Sequence, residues 1–403
     1  MKTAKKQSYL FLLFAVLYFP FVYFGQLSMS AYFVVSDGAA AAVNYMGAFY
    51  NVAAVLFLLT RSNFGSSSSD EKWIVAVVVW CLLAMLNSIV NASDVGRIFK
   101  DFNYGTMWTT HLLFYYVLAR DGYLRNKLVI YLFASLAVFS AVMTFRLFNA
   151  FVYELGGVKA LGFNAVYFVV CLLPWVFLIE KKWIKFGIII FLCVAVLFSQ
   201  KRTAIIALAL QFVIYLLDSM RSPKNRFFKV VGAIILLVAL VYAFNTVNQN
   251  YLNGGITKRF EMAETDDMGS RVAIWRDLID NYLNSNVFYQ LFGRGCESFL
   301  NYGKYHLTAH NDYLETLFDY GLISLIVLFV IVCCLLGRVK QTFTYDRILG
   351  VSYLSSLVAF LVMTMSSHLL FIHPCSIVFI TAMWGYSIGS VEYNNKINST
   401  ERK

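Results

Sequence analysis

The feature that most constrains this chain is a succession of long apolar runs, rich in Leu, Ile, Val and Phe, separated by short clusters of Lys and Arg. A helical run of roughly 20 apolar residues matches the ~30 Å of hydrocarbon in a bilayer. Inside hydrocarbon every backbone N–H and C=O must be bonded within the protein, which leaves helices or closed barrels. The runs lack the short alternating segments of a barrel, and the whole chain has only four prolines. Composition agrees: of 403 residues, 60% are hydrophobic and 14% charged, against about 25% charged in water-soluble chains. The expected fold is an all-α polytopic membrane protein of about twelve transmembrane helices.

Hydropathy places spans near 8–28, 39–60, 73–90, 105–119, 128–144, 160–179, 186–200, 203–217, 230–245, 315–336, 348–366 and 375–391. The first, preceded by Lys2, Lys5 and Lys6, reads as a retained helix, because it is long for a signal peptide and many spans follow. With the N-terminus cytoplasmic, most basic residues fall in inner loops. The short outer loops keep Arg97, Lys100, Arg146, Lys159, Lys201 and Arg202. The positive-inside rule then gives a multi-pass bundle with both termini inside. Residues 1–244 carry helices one to nine, 245–314 form one long outer loop or lid with short helices, 315–391 carry helices ten to twelve, and 392–403 are a cytoplasmic tail, polar and expected to be disordered from Asn394.

The formal charge of +11 does not point to nucleic acid, because the basic residues follow the loops and form no stripe interleaved with aromatics. Five of the seven cysteines lie within apolar runs as small hydrophobes, and no Cys/His spacing suggests a metal. Thr265-Asp266-Asp267 is an exposed acidic turn before it is a cation site. No cofactor motif is present, so none is expected.

Three features recur at the outer face: Lys201-Arg202 in the tight turn between two spans, Arg271 in Gly269-Ser270-Arg271, and His310 just before a span. An arginine at the end of a span can be an interfacial anchor. Two at one depth can also clamp a diphosphate, because the guanidinium fork matches phosphate oxygens. His310 would sit in the first turn of the helix that runs through Gly321, where the dipole and nearby arginines favour the neutral imidazole that a general base needs. Lys201, Arg276, Arg294, Asn311 and Trp275 are candidate supporting residues, Arg294 as a further phosphate contact in Gly293-Arg294-Gly295. Trp275, Tyr251 and Tyr302 are candidates for stacking on sugars.

Taken together, Ser199-Gln200-Lys201-Arg202-Thr203, Gly269-Ser270-Arg271 with Trp275 four residues on, Gly293-Arg294-Gly295, and His310-Asn311 followed by Gly321 resemble the bacterial O-antigen ligase and polysaccharide polymerase superfamily. The resemblance covers roughly residues 185–340. It departs at Ser324, where a second glycine is common, and at Lys201, where a small residue is common. It implies a GT-C-like bundle in the inner membrane, with the active site and the long loop facing the periplasm. It also implies a metal-independent glycosyltransferase for lipopolysaccharide biosynthesis. The donor would be an undecaprenyl-diphosphate-linked glycan and the acceptor a glycan or lipid A-core, with membrane lipid around the bundle. Arg202 and Arg271 would be diphosphate ligands and His310 the catalytic group. A repeat-unit polymerase is the first expectation and an O-antigen ligase the alternative. A transporter of polysaccharide or lipid-linked sugar fits the helix number less well, because the halves are not alike and the spans lack mid-membrane charges. A non-catalytic assembly or sensory subunit would leave the Arg/Arg/His set unexplained.

Overall fold

The structure is a computed structural model that describes residues 17–30, 37–60, 72–124, 127–148, 152–155, 158–161, 166–199, 201–221, 242, 245–246, 249, 268–367, 369–370 and 374–401. The helices are α1 (Tyr18–Ser30), α2 (Asp37–Thr60), α3 (Lys72–Asn91), α4 (Val95–Arg120), α5 (Leu128–Phe148), α6 (Val166–Phe177), α7 (Lys182–Phe198) and α8 (Arg202–Met220). After them come α9 (Met268–Leu283), α10 (Val287–Phe292), α11 (Phe299–Tyr302), α12 (Asp312–Glu315), α13 (Gly321–Gly337), α14 (Val339–Tyr345), α15 (Arg347–Ser366) and α16 (Pro374–Glu401).

Among the described residues six stretches are long and apolar enough to cross a membrane: Ala41–Leu59, Lys72–Asn91, Leu128–Arg146, Arg202–Met220, Asp312–Tyr345 and Arg347–Ser366. The chain is thus an all-α multi-pass membrane protein in its main body. A helix covers all or part of each expected span, of which 230–245 is described only at 242 and 245; Tyr251 and Thr265-Asp266-Asp267 lie outside the described residues. Helix α4 falls outside the six because it carries Asn103, Thr106, Thr109, Thr110 and His111, all of them buried. It runs through the middle of the bundle and meets protein where the outer helices meet lipid. On α3, by contrast, Val75, Leu82 and Leu86 are exposed apolar side chains, as a lipid-facing stripe requires.

Helix α4 packs closely against α16 through Gly385 and Gly389, four residues apart. A Cβ at Gly385 would lie 2.2 Å from the Leu112 carbonyl oxygen, and one at Gly389 would lie 2.3 Å from that of Tyr116. Small residues at this spacing let membrane helices touch backbone to backbone. Tryptophan N–H groups tie the other helices together: Trp80 donates to the Gly105 carbonyl at 2.7 Å, Trp175 to that of Phe379 at 2.9 Å, and Trp384 to Ser356 Oγ at 3.0 Å. In hydrocarbon an unbonded indole N–H has no water to turn to, so such bonds fix helix register.

Outside the candidate site the structure departs from the sequence expectation in two places. Residues 158–161, next to and overlapping the start of the expected span at 160–179, form a strand that pairs antiparallel with Val152–Leu155, in register Val152 to Leu161 and Leu155 to Val158. In the sequence Gly156-Gly157 stands between the two strands, a strong hairpin signal that apolar averaging hides. The polar tail is also not disordered up to Glu401, since α16 continues to that residue. No Pro or Gly follows Gly389 to stop it, and Glu392, which accepts a hydrogen bond from the Tyr116 hydroxyl at 2.5 Å, extends its contact with α4.

Candidate active site

Connections at one end of the bundle bring the expected residues into a shared neighbourhood. Helix α8 starts at Arg202 with Lys201 as its N-cap, one short turn after α7. Next to Arg202, Thr203 Oγ1 lies 3.1 Å from Ser366 Oγ at the end of α15. The Tyr167 hydroxyl, at the start of α6, hydrogen-bonds with Thr203 and Ser367 and feels the charge of Arg271. The segment that carries Arg202 therefore touches Tyr167, and Arg271 lies near enough for its charge to act there. Both arginines are half-buried.

His310 is joined to this neighbourhood through α9. Arg271 lies in the first turn of α9, and Trp275, one turn on, donates its indole N–H to the Ala309 carbonyl at 2.7 Å. The Ala309 N–H donates to Glu315 Oε1 at 2.6 Å. Asp277, further along α9, accepts the Lys304 N–H at 2.7 Å. The backbone leading to His310 is thus held at two points by α9. His310 itself has φ +52°, in the left-handed region that side chains with a Cβ rarely occupy. Strain of this kind persists where neighbours over-determine the backbone, and it concentrates at functional sites.

The helix starts later than expected. Asn311 is the N-cap, its side chain accepting the Tyr313 and Leu314 N–H groups at 3.0 and 3.1 Å, and α12 opens at Asp312. His310 thus precedes the cap and is not in the first turn, because the Asn311 carboxamide fills the capping role. Asp312 Oδ2 accepts the N–H groups of Leu369 and Leu370 at 2.9 and 3.1 Å. This joins the His310 segment to the chain just beyond Ser366 and Ser367.

Between Glu315 and Gly321 the helix widens into a π-helical turn, Thr316–Tyr320, a distortion frequent near functional sites. Asp319 in that turn accepts the N–H groups of Glu297 and Ser298 and the Ser298 hydroxyl, at 2.8, 3.2 and 2.7 Å. Gly321 has φ +83° and Gly293 φ +78°. A Cβ on Gly321 would sit 2.3 Å from the Leu291 carbonyl oxygen, and one on Gly293 would sit 2.2 Å from that of Asp319. Asn87 of α3 stitches both segments by donating to the carbonyls of Phe292 and Asp319 at 2.8 and 2.9 Å.

The supporting candidates divide. Trp275 and Asn311 have the structural contacts just described. Arg294 stacks on Tyr289 and Tyr302, with its guanidinium carbon 4.6 and 4.4 Å from their ring centroids, and it donates to Ser285 Oγ at 2.9 Å. It is committed to holding the loop, and Tyr302 with it. Arg276 is exposed on α9, and Lys201 is half-buried. Arg97 and Lys100 at the start of α4, read from sequence only as outer-loop charges, pair with Glu297 at 3.5 and 2.8 Å. Arg97 also donates to the Cys296 carbonyl.

Sequence reasoning overlooked Tyr167, Ser366, Ser367, Glu315 and Asp319. A usable signal existed for the last two. Asp312, Glu315 and Asp319 are spaced by three and four at the head of an apolar run, so they share a helix face, and carboxylates there are costly unless bonded. Among the described residues no group of three or more His, Cys, Asp or Glu could hold a metal ion.

No curated protein matches the chain. Residues 186–329, which run from α7 into α13 and include Arg202, Arg271 and His310, match the family model described as O-antigen ligase. The match supports a ligase- or polymerase-type role in surface polysaccharide biosynthesis. The resemblance read from the motifs, to the O-antigen ligase and polymerase superfamily, thus holds over this stretch of the chain.

Proposed function

We propose that the chain is an inner-membrane glycosyltransferase that moves a glycan from undecaprenyl diphosphate to an acceptor sugar on the periplasmic face. The observation that carries this reading is the O-antigen ligase match over the stretch that contains Arg202, Arg271 and His310. In the proposed step an acceptor hydroxyl oxygen attacks the anomeric carbon, and the bond from that carbon to the diphosphate oxygen breaks, with inversion. His310 takes the hydroxyl proton. Arg202 and Arg271 stabilise the charge gathering on the departing diphosphate, where positioned donors act most strongly. Undecaprenyl diphosphate leaves intact and the new glycosidic bond stays on the acceptor. The long loop and the twelve-span bundle belong to the same proposal, with the donor's polyprenyl tail lying against the apolar helices.

We place the chain first as a repeat-unit polymerase, on the departure at Ser324 from the ligase glycine pattern. The description of the matching family favours the second reading, attachment of finished polymer to lipid A-core. The donor step is the same for both. Purified protein incubated with a lipid-linked oligosaccharide and candidate acceptors is expected to release free undecaprenyl diphosphate, with and without EDTA. Loss of release in EDTA with recovery on Mg²⁺ or Mn²⁺ would make the step metal-dependent. In cells, deletion of a polymerase leaves surface lipid that carries one repeat unit. Deletion of a ligase leaves long polymer on undecaprenyl diphosphate and a bare core.

A further inference from the structure

The geometry assigns Trp275 and Glu315 as positioning residues that set His310 against Arg271 by gripping Ala309 from both sides. This rests on the reading of His310 as the proton acceptor.

Ala309 is fully buried, and both of its backbone groups are taken by side chains: its carbonyl by the Trp275 indole at 2.7 Å and its N–H by Glu315 Oε1 at 2.6 Å. The carbonyl of Ala309 lies in the rigid peptide plane that also holds the His310 nitrogen. Fixing that carbonyl therefore orients the histidine backbone, which stands at φ +52°. On the other side Asn311 is locked as the cap of α12. Two immobilised neighbours leave His310 little freedom besides its side-chain torsions.

The indole does more than close a hydrogen bond. Trp275 and Arg271 are four residues apart on one helix and share a face. Because α9 is a rigid rod, the bond to Ala309 turns the helix into a spacer between the guanidinium and the imidazole. Glu315 completes the clamp at a cost, since it is 4% exposed and a carboxylate at the head of a span is expensive unless its oxygens are bonded. Closing one backbone N–H does not require a carboxylate, and an ordinary helical start would leave that N–H to solvent.

The test compares Glu315→Gln, Glu315→Ala and Trp275→Phe in the full-length protein. Glutamine keeps a carbonyl oxygen at the same reach, and phenylalanine keeps the ring but loses the donor. Displacement of a reacting group by about 1 Å costs up to ~100-fold in rate. We expect kcat to fall by about 10- to 100-fold in Glu315→Ala and Trp275→Phe at nearly unchanged KM, with Glu315→Gln restored to within about threefold. A second readout needs no transfer activity: the rate of His310 carbethoxylation by diethyl pyrocarbonate as a function of pH, followed by peptide mass spectrometry. Its midpoint and rate should shift in Glu315→Ala and Trp275→Phe and return in Glu315→Gln. An unchanged carbethoxylation profile in folded Trp275→Phe overturns the assignment even if kcat falls, and so does Glu315→Gln behaving like Glu315→Ala. If Glu315→Ala does not fold, Trp275→Phe and Glu315→Gln carry the test. A wild-type protein that releases no undecaprenyl diphosphate, yet whose His310 profile responds as described, sinks the transferase reading and leaves the clamp standing.

Discussion

The two ends of the bundle share surface ion pairs, Arg97 and Lys100 with Glu297 near the buried loops among them, but they differ in what their other carboxyl groups do. At the end that carries Arg120, Lys127 and Arg347, ions meet ions on the surface: Lys127 pairs with Glu180, and Arg347 Nε lies 2.6 Å from Asp218 Oδ1, with half or more of the Lys127, Glu180 and Arg347 side chains exposed. At the end that carries His310, the carboxylates of Asp312, Glu315 and Asp319 are buried, and each is bonded to backbone N–H groups of another loop. The first arrangement tunes topology and is screened by solvent. The second uses carboxyl oxygens to fix loops. Among the described residues no carboxylate forms an ion pair with Arg271, and its charge acts on the Tyr167 hydroxyl. Carboxylates that hold backbone do not neutralise arginines, and an arginine kept for an anionic substrate needs that separation.

The largest effects that could break this contrast lie at the arginines. Arg202→Ala and Arg271→Ala are expected to lower the rate of undecaprenyl diphosphate release by about 10²- to 10³-fold, the size seen when one charge-stabilising donor is lost. Arg271→Lys should fall nearly as far, because an ammonium cannot reproduce two parallel donors. A lysine variant with wild-type kcat would reduce Arg271 to an interfacial anchor and remove the functional half of the contrast.

Next come the glycines that let the buried loops touch. Gly321→Ala combines a left-handed φ with a Cβ 2.3 Å from a carbonyl oxygen. A loss of about 3 kcal/mol or more in unfolding free energy, or failure to fold, is expected. Gly187 in α7 has nothing within 4 Å of where its Cβ would be. Gly187→Ala should be neutral or raise stability by up to ~1 kcal/mol. Thermal melts of both variants in detergent check the pair. Equal melting temperatures would mean that the 293–321 region is no tighter than a plain helix.

These contrasts also explain what could be read in advance. Apolar runs are long and contiguous, so α2, α3, α5, α8, α13 and α15 follow from hydropathy alone. Of the short helices expected in the long loop, α9 (Met268–Leu283) is the one that carries Arg271 and Trp275. Arg202, Arg271 and His310 stood out because basic groups at a span end need a reason. What hid the rest is that its meaning lies in pairings across long separations. Nothing local tells that Gly293 and Gly321 press against each other's segments, that Arg294 sits between Tyr289 and Tyr302, or that Glu315 reaches back to Ala309. The hairpin at 152–161 was hidden because hydropathy averaging erases the alternation and the Gly156-Gly157 signal.

The smallest expected effect sets the scale for the others, and it comes from comparing one carboxylate at each end. Asp319→Asn keeps the shape of a buried side chain but replaces one acceptor with an NH₂ group. Its oxygens now accept from Glu297 and Ser298, so one of those donors must face another donor. A buried group left unsatisfied costs about 1–3 kcal/mol, and the melting temperature should drop at any ionic strength because salt does not reach the site. Glu180→Gln at the other end removes the partner of Lys127, but with Glu180 62% and Lys127 52% exposed water replaces what is lost. Exposed pairs contribute about 0–1 kcal/mol, and the ~8 Å screening length at physiological salt removes much of that. The shift should therefore be near the error of the melt at 0.15 M salt and resolvable, if at all, only at low salt. If Glu180→Gln destabilises as much as Asp319→Asn, and does so independently of salt, the two ends hold their carboxylates in the same way and the contrast between surface pairs and buried anchoring carboxylates loses its physical basis.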